Sequence, residues 1–208
     1  MKFIKERIVL MIMARFIVKN NKLRITKKIT KLDKFVIDTV GIASKYADYV
    51  IISGYVSIFF GRARATEDID VFIKDMVFNK FSRMFDNFSS KKFDFTIQNK
   101  KSLYYDYLKN GLPINVWRRN FPLLRLEMKL ASKKSHKQAF LKPVTVIFDG
   151  KKLKFTRIES QIAYKRYILK SEKDLEDARH LELVFGGLDN KLIQKYKKKF
   201  EYWMEHGE

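Results

Sequence analysis

The chain has no cysteine, only three prolines and three histidines, and just 23 acidic residues against 44 lysines and arginines. Without cysteine there can be no disulfide and no thiolate-held metal, so disulfide frameworks and cysteine-based zinc modules are excluded. The histidines, His136, His180 and His206, are too scattered to pair at helical spacing, so a histidine-based zinc site is not expected. No low-complexity linker and no internal repeat interrupts the chain. Long hydrophobic runs are also lacking. The longest near the start, Ile8 to Ala14, is cut off by Arg15, whereas a membrane-spanning helix needs about 20 residues. No small-residue cleavage pattern follows that run, so neither a secretory signal nor membrane attachment is expected. A cytoplasmic location is the matching expectation.

What is present is a core and a large positive charge. The 208 residues are 46% hydrophobic, with eighteen Phe and ten Tyr. That suffices for one compact domain, or a core domain with a helical appendage. The net charge is +21. Residues 1–34 carry eleven Lys/Arg against Glu6 and Asp33, and residues 91–137 carry twelve against Asp94, Asp106 and Glu127. Triphosphate binding alone would not need so much charge; a polyanionic partner would, and nucleic acid, RNA above all, is the expected one.

Along the chain, Phe16–Val18 and Leu23–Ile25 flank Lys19-Asn20-Asn21-Lys22 and predict a hairpin. Asp33 to Tyr46 has helical spacing, Tyr49 to Ile52 reads as a short buried strand, and Val56 to Phe60 as the start of a short helix stopped at Gly61. Asp68 to Ile73 is a strand and Val77 to Phe88 a helix. Leu103 to Leu108 is helical and closed by Asn110-Gly111, and Leu123 to Leu130 alternates as a strand. Val144–Phe148 and Leu153–Phe155 flank Asp149-Gly150, a strong hairpin signal. Three helices follow, over 158–170, 172–185 and 188–204, the last two separated by Gly186-Gly187.

The chemistry sits between residues 53 and 70. Ser53-Gly54 ends a buried strand, and a glycine there lets backbone approach a ligand closely. The helix that follows offers free N–H groups to an anion such as phosphate. Asp68 and Asp70 then sit two apart on a strand and point the same way, while Ile69, Val71 and Ile73 face the core. Two such carboxylates repel one another unless a cation lies between them, and oxygen ligands of this kind suit Mg²⁺. In Leu124-Arg125-Leu126-Glu127-Met128-Lys129-Leu130 the leucines and Met128 form a core face. Glu127 shares the other face with Arg125 and Lys129 and is the expected third carboxylate. Asn115 and Asp94 are competing positions. Arg64, Thr66 and Lys129 are nucleotide-binding candidates beside Ser53, Gly54 and Ser57.

The run Gly54…Thr66-Glu67-Asp68-Ile69-Asp70 resembles the first motif of the DNA-polymerase-β-type nucleotidyltransferase superfamily. Leu126-Glu127-Met128-Lys129, Glu159-Ser160-Gln161-Ile162-Ala163-Tyr164-Lys165 and Ser171-Glu172-Lys173-Asp174-Leu175-Glu176-Asp177-Ala178 are similar, in that order, to further motifs of its abortive-infection-type branch, which includes toxins of toxin–antitoxin pairs. The likeness spans roughly residues 49–185. It implies an α+β (mixed α/β) fold, a nucleotidyltransferase core sheet flanked by helices and followed by a C-terminal helical part. The division expected is a basic N-terminal hairpin extension (1–30), a core (31–155) and a helical region (156–208).

By the same resemblance Asp68, Asp70 and Glu127 would hold two Mg²⁺ ions, Lys165 would contact the triphosphate of an NTP, and Asp174 would serve the second half of the site. The activity implied is transfer of a nucleoside monophosphate to a hydroxyl, with an antitoxin as a partner of the toxin-type enzymes; the carboxylates and the charge together favour tRNA-like RNA as acceptor, a protein side chain or a small molecule being the alternatives. Two roles fit the hairpin extension: nucleic-acid contact, or pairing between subunits in a homodimer. One departure bears on catalysis. The family has Gly-Gly or Gly-Ser at the turn where this chain has Gly54-Tyr55, so Tyr55 would crowd the phosphate or stack on something, with Ser53 or Ser57 supplying the hydroxyl. Taken alone, that departure would make the chain a nucleic-acid-binding module with weak or no catalysis.

Overall fold

The computed structural model describes residues 16–19 and 22–207. The apolar run Ile8 to Ala14 and the Asn20-Asn21 centre of the first hairpin lie outside them. Among the described residues nine strands form one mixed sheet: β1 (Phe16–Lys19), β2 (Lys22–Ile25), β3 (Tyr49–Ile51), β4 (Asp68–Ile73), β5 (Phe93–Phe95), β6 (Ile114–Arg118), β7 (Phe121–Leu130), β8 (Val144–Phe148) and β9 (Lys151–Phe155). Their order across the sheet is β1-β2-β8-β9-β3-β4-β7-β6-β5. β1 and β2 pair antiparallel, as the hairpin pattern predicts, and β2 joins β8 in parallel, so residues 16–25 are an edge of the same sheet. At the turn joining β8 to β9, Asp149 and Gly150 have φ of 49° and 68°. Two positive φ values in a row match the twist of the flanking strands, which is why Asp-Gly is favoured there.

Helix α1 (Lys31–Ala43) begins two residues before the Asp33 start read from spacing, because Thr30 and Asp33 form a reciprocal cap. The Asp33 amide donates to Thr30 Oγ1 at 3.0 Å and the Thr30 amide donates to Asp33 Oδ2 at 2.9 Å. Helix α2 (Gly54–Phe59) follows β3 directly. Helix α3 (Phe78–Ser90) buries Phe81, Met84, Phe85 and Phe88, one face at helical spacing. A single turn, Lys100–Ser102, runs into a π-helical stretch at Leu103–Tyr107. Helix α4 (Lys134–Gln138) follows β7. The C-terminal part is α5 (Ile158–Tyr164), continued by a π-helical turn at Lys165–Leu169, then α6 (Glu172–Phe185) and α7 (Asn190–His206).

The central strands show why the carboxylates face outward. Burial alternates along β4, with Ile69, Val71 and Ile73 at 0–2% exposure and Asp68, Asp70 and Phe72 on the other face. β7 does the same with Leu126 and Met128 inward and Glu127 and Lys129 outward. The buried faces join one aromatic-rich core that includes Tyr55, Phe59, Phe148 and Phe155.

Candidate active site

β4 and β7 run parallel in a register that opposes Asp68 to Arg125 and Asp70 to Glu127. Neighbouring strands lie about 4.8 Å apart, so Asp70 and Glu127 stand side by side on one face. Both line a cavity of about 260 Å³ together with Ser53, Lys129, Gln161 and Tyr164. Burial pushes the Asp70 carboxyl above the ordinary carboxylate range, and the charges of Glu127 and Asp68 add to this. The Ser53 hydroxyl, which donates to Asp70, and the Lys129 ammonium offset only part of it. Asp70 is therefore a carboxylate short of positive charge.

The other carboxylates have partners. Asp68 Oδ1 accepts from Arg125 Nε at 2.8 Å, and Glu127 Oε1 is 2.7 Å from Lys129 Nζ. Among the described residues no three His, Cys, Asp or Glu side chains already converge as a metal cage. The donor chemistry fits Mg²⁺ nonetheless: the groups are all hard oxygen ligands and two are adjacent. The Asp68–Arg125 pair has about two-fifths of each side chain exposed. Such surface pairs contribute only about 0–1 kcal/mol, so Asp68 can leave Arg125 at little cost.

The turn that carries Ser53 is held from a distance. Ser53 has φ 62° and ψ −140°, a backbone region costly for any residue with a Cβ. Gln161 on α5 stabilises it from both sides: its Oε1 accepts from the Ser53 amide at 3.3 Å, and its Nε2 donates to the Ser53 carbonyl at 3.0 Å. The space beside Gly54 is taken by a side chain, not left open for a ligand. A Cβ there would stand 1.9 Å from Arg64 Nη2, so the Arg64 guanidinium already occupies that space.

Of the two alternatives for Tyr55, crowding the phosphate or stacking, the structure shows stacking, on Phe155 in the core. It is fully buried, packs between Phe59 and Phe155, and its hydroxyl donates to Asp33 Oδ1 at 2.7 Å. On a helix that starts at Gly54, position 55 points into the core, away from the cavity. Ser57 is also fully buried, and its Oγ has no partner among the described residues. The Thr66 hydroxyl donates to the Asp68 carbonyl at 2.9 Å and shapes the entry into β4.

Lys165 and Asp174 are together, though not in the cavity lining. Lys165 is 1% exposed, and its Nζ lies 2.7 Å from Asp174 Oδ1 and 2.8 Å from Asp177 Oδ2. Asp177, wholly buried, also pairs with Arg62 and lies 3.4 Å from Arg64 Nε. Arg62 reaches Glu176 and the Lys173 carbonyl as well. This network fastens the loop before β4 to α6. Four residues that the sequence did not single out thus shape the site: Gln161, Asp177, and the stacked pair Phe72 and His136, whose rings are 4.2 Å apart on the cavity wall. Asn115 sits opposite Glu127 on β6, and Asp94 pairs with Arg119.

An antigenic nucleotidyltransferase-like protein from Paracoccidioides brasiliensis superposes with a TM-score of 0.50 at 16% identity, over 84% of this chain and 88% of that one. The fold is nucleotidyltransferase-like. The antibiotic-resistance factor ANT(2'')-Ia matches more loosely, with a TM-score of 0.47 and 11% identity over 83% and 92% of the two chains. No protein-family model matches the chain, and no curated protein does. In this nucleotidyltransferase-like frame, no helix among the described residues is long and apolar enough to cross a membrane.

Proposed function

We propose that this protein is a Mg²⁺-dependent nucleotidyltransferase that transfers a nucleoside monophosphate from an NTP to a hydroxyl on RNA, in the manner of the toxin-type enzymes it resembles. The observation that carries the reading is the juxtaposition of Asp70 and Glu127 on paired parallel strands, inside a cavity, with the Asp70 carboxyl pushed up by burial and by the charge of Glu127 beside it. Asp70 and Glu127, joined by Asp68, would hold the metal; when bound, Mg²⁺ supplies charge neutralisation and orientation for the phosphates. Lys129 brings a cation to the phosphate side of Glu127, and Ser53 fixes the Asp70 carboxylate. In the reaction the acceptor hydroxyl releases its proton to solvent as its oxygen bonds to the α-phosphorus, the bond to the oxygen bridging to the β-phosphate breaks, and pyrophosphate leaves.

The net charge of +21 supports RNA as acceptor. The alternative of a binding module without chemistry rested on Tyr55, whose burial removes its motivation. The test is transfer of label from each NTP, with Mg²⁺ and total RNA, by the wild type and by Asp70→Asn. Labelled RNA from the wild type alone is the expected outcome. No label on RNA, protein or small acceptors, with the two proteins indistinguishable, would overturn the reading. The toxin role predicts growth arrest on expression, relieved by a co-encoded antitoxin.

A further inference from the structure

Between Glu127 and Asp149 the chain has no acidic residue and five lysines: Lys129, Lys133, Lys134, Lys137 and Lys142. The fold places this segment at the cavity. Lys129 lines it from β7, and Ser135, His136 and Ala139 line it from α4 and its C-terminal edge. Lys134 and Lys137 occupy the opposite, exposed side of the same short helix. Helix α7 extends the positive surface. It packs beside α4 through a hydrogen bond from Lys199 Nζ to Gln138 Oε1 at 2.5 Å, and carries Lys191, Lys195 and Lys198 exposed along its outer side.

Several cations elsewhere are engaged by acidic partners: Arg62 by Asp177, Arg118 by Asp38, Arg119 by Asp94, Lys109 by Asp75 and Arg166 by Glu182. Lys134 and Lys137 have no ion-pair partner among the described residues. Uncompensated ammonium groups beside a carboxylate-lined cavity have a physical use. Asp70 and Glu127 repel a phosphodiester chain, and an acceptor strand can deliver its terminal hydroxyl only where fixed positive charge outweighs that repulsion. A cavity of about 260 Å³ admits a strand end and not a duplex.

We infer that the α4 segment is the docking ridge for the 3′ end of a single-stranded nucleic acid, with Lys134 and Lys137 holding backbone phosphates just outside the cavity. The inference rests on the proposed transfer reaction for its purpose, but binding alone tests it. Each phosphate contact to a single strand contributes about 0.7 to the slope of log K against log salt, which is roughly fivefold in affinity at 0.1 M. The double variant Lys134→Gln/Lys137→Gln therefore binds a 12-nucleotide RNA about 25-fold more weakly at 0.1 M salt, with a slope shallower by about 1.4. Lys80→Gln/Lys91→Gln, at the two ends of α3, no residue of which lines the cavity, removes the same net charge and is the control.

The ridge is supported if only the first pair of substitutions weakens binding and if Asp70→Asn binds as tightly as the wild type. It is overturned if the ridge variant binds like the wild type, if the control loses as much, or if duplex RNA or vesicles of anionic lipid compete better than the single strand. Unimpaired RNA binding by the ridge variant alongside active transfer would sink the ridge and leave the enzyme standing. Ridge-dependent binding without transfer to any acceptor would do the reverse.

Discussion

Replacing Tyr55 by phenylalanine removes one hydroxyl and leaves the ring in place. That hydroxyl is one of four donors to Asp33, a residue 1% exposed: Tyr55 Oη at 2.7 Å, Lys27 Nζ at 2.8 Å, the Thr30 amide at 2.9 Å and Thr30 Oγ1 at 2.8 Å. A hydrogen bond to a charged group contributes about 1.5–3 kcal/mol. With three donors remaining, the loss belongs at the low end, about 1.5 kcal/mol. For a chain of this length that corresponds to a Tm lower by roughly 3–6 °C. The effect also has a pH signature. Burial pushes the Asp33 carboxyl up, but the donors from Lys27, Thr30 and Tyr55 outweigh it and hold the group below 3.8. A depressed carboxylate contributes stability that is present above its unfolded pKa and is lost as pH falls through the folded one. The gap between wild type and Tyr55→Phe is therefore full at pH 7 and narrows below about pH 3.8. Denaturant melts at several pH values measure the gap; NTP turnover per folded molecule is measured in parallel. A variant as stable as the wild type but with a raised KM for NTP would refute the assignment of Tyr55 to the core and return it to the phosphate site.

Asp70→Asn lowers transfer by roughly 10²–10³-fold, as loss of a preorganised charged group does, without loss of stability. Because the folded-state pKa of Asp70 is raised, the native protein loses stability as pH rises from 3.8 through that pKa. The asparagine variant lacks this fall, and a Tm at pH 7 below the wild type's would contradict it. Lys165→Met leaves Asp174 and Asp177 buried without their shared cation and costs about 3–5 kcal/mol in denaturant unfolding. Unchanged stability with a raised KM for NTP would instead make Lys165 a phosphate ligand. Ser53→Gly relieves about 1–3 kcal/mol of backbone strain, offset by up to about 1 kcal/mol from glycine's greater freedom when unfolded. The variant is accordingly as stable as the wild type or more so, yet slower in transfer because Asp70 loses a donor; a marked fall in Tm would count against the strained turn.

Much of the site was legible because strand periodicity carries it. Alternation in Asp68–Ile73 and in Leu124–Leu130 states which side chains leave the core, whatever strands lie beside them. The adjacency of Asp70 and Glu127 depends on register, which the motif order suggested and the pairing of β4 with β7 shows. Other features are set by tertiary context. Phe93–Phe95 is too short to carry a periodic signal, and Ile114–Arg118, interrupted by Asn115 and followed closely by Pro122, has no clear strand pattern of its own. Lys134–Gln138 has no apolar stripe at all; it is held by Gln138 against Lys199 and by His136 stacked on Phe72. Residue type could not tell which way Tyr55 points, because that depends on the helical phase imposed by the turn at Ser53. Nor could it show that Asp177, one turn beyond Asp174, would draw Lys165 and Arg62 into a buried network.

The grip of Gln161 on the Ser53 backbone has a consequence for how this chain can be cut and recombined. The turn that aims a hydroxyl at Asp70 is shaped by an amide 108 residues downstream, on the first C-terminal helix. A truncation at Phe155, where the sheet ends, would keep every carboxylate and lose the splint that sets the turn. Sheet and helices are thus a single inheritable unit for catalysis: a chimera that exchanges the helical part keeps its turn geometry only if the incoming helix brings a glutamine, or its equivalent, to the place of Gln161.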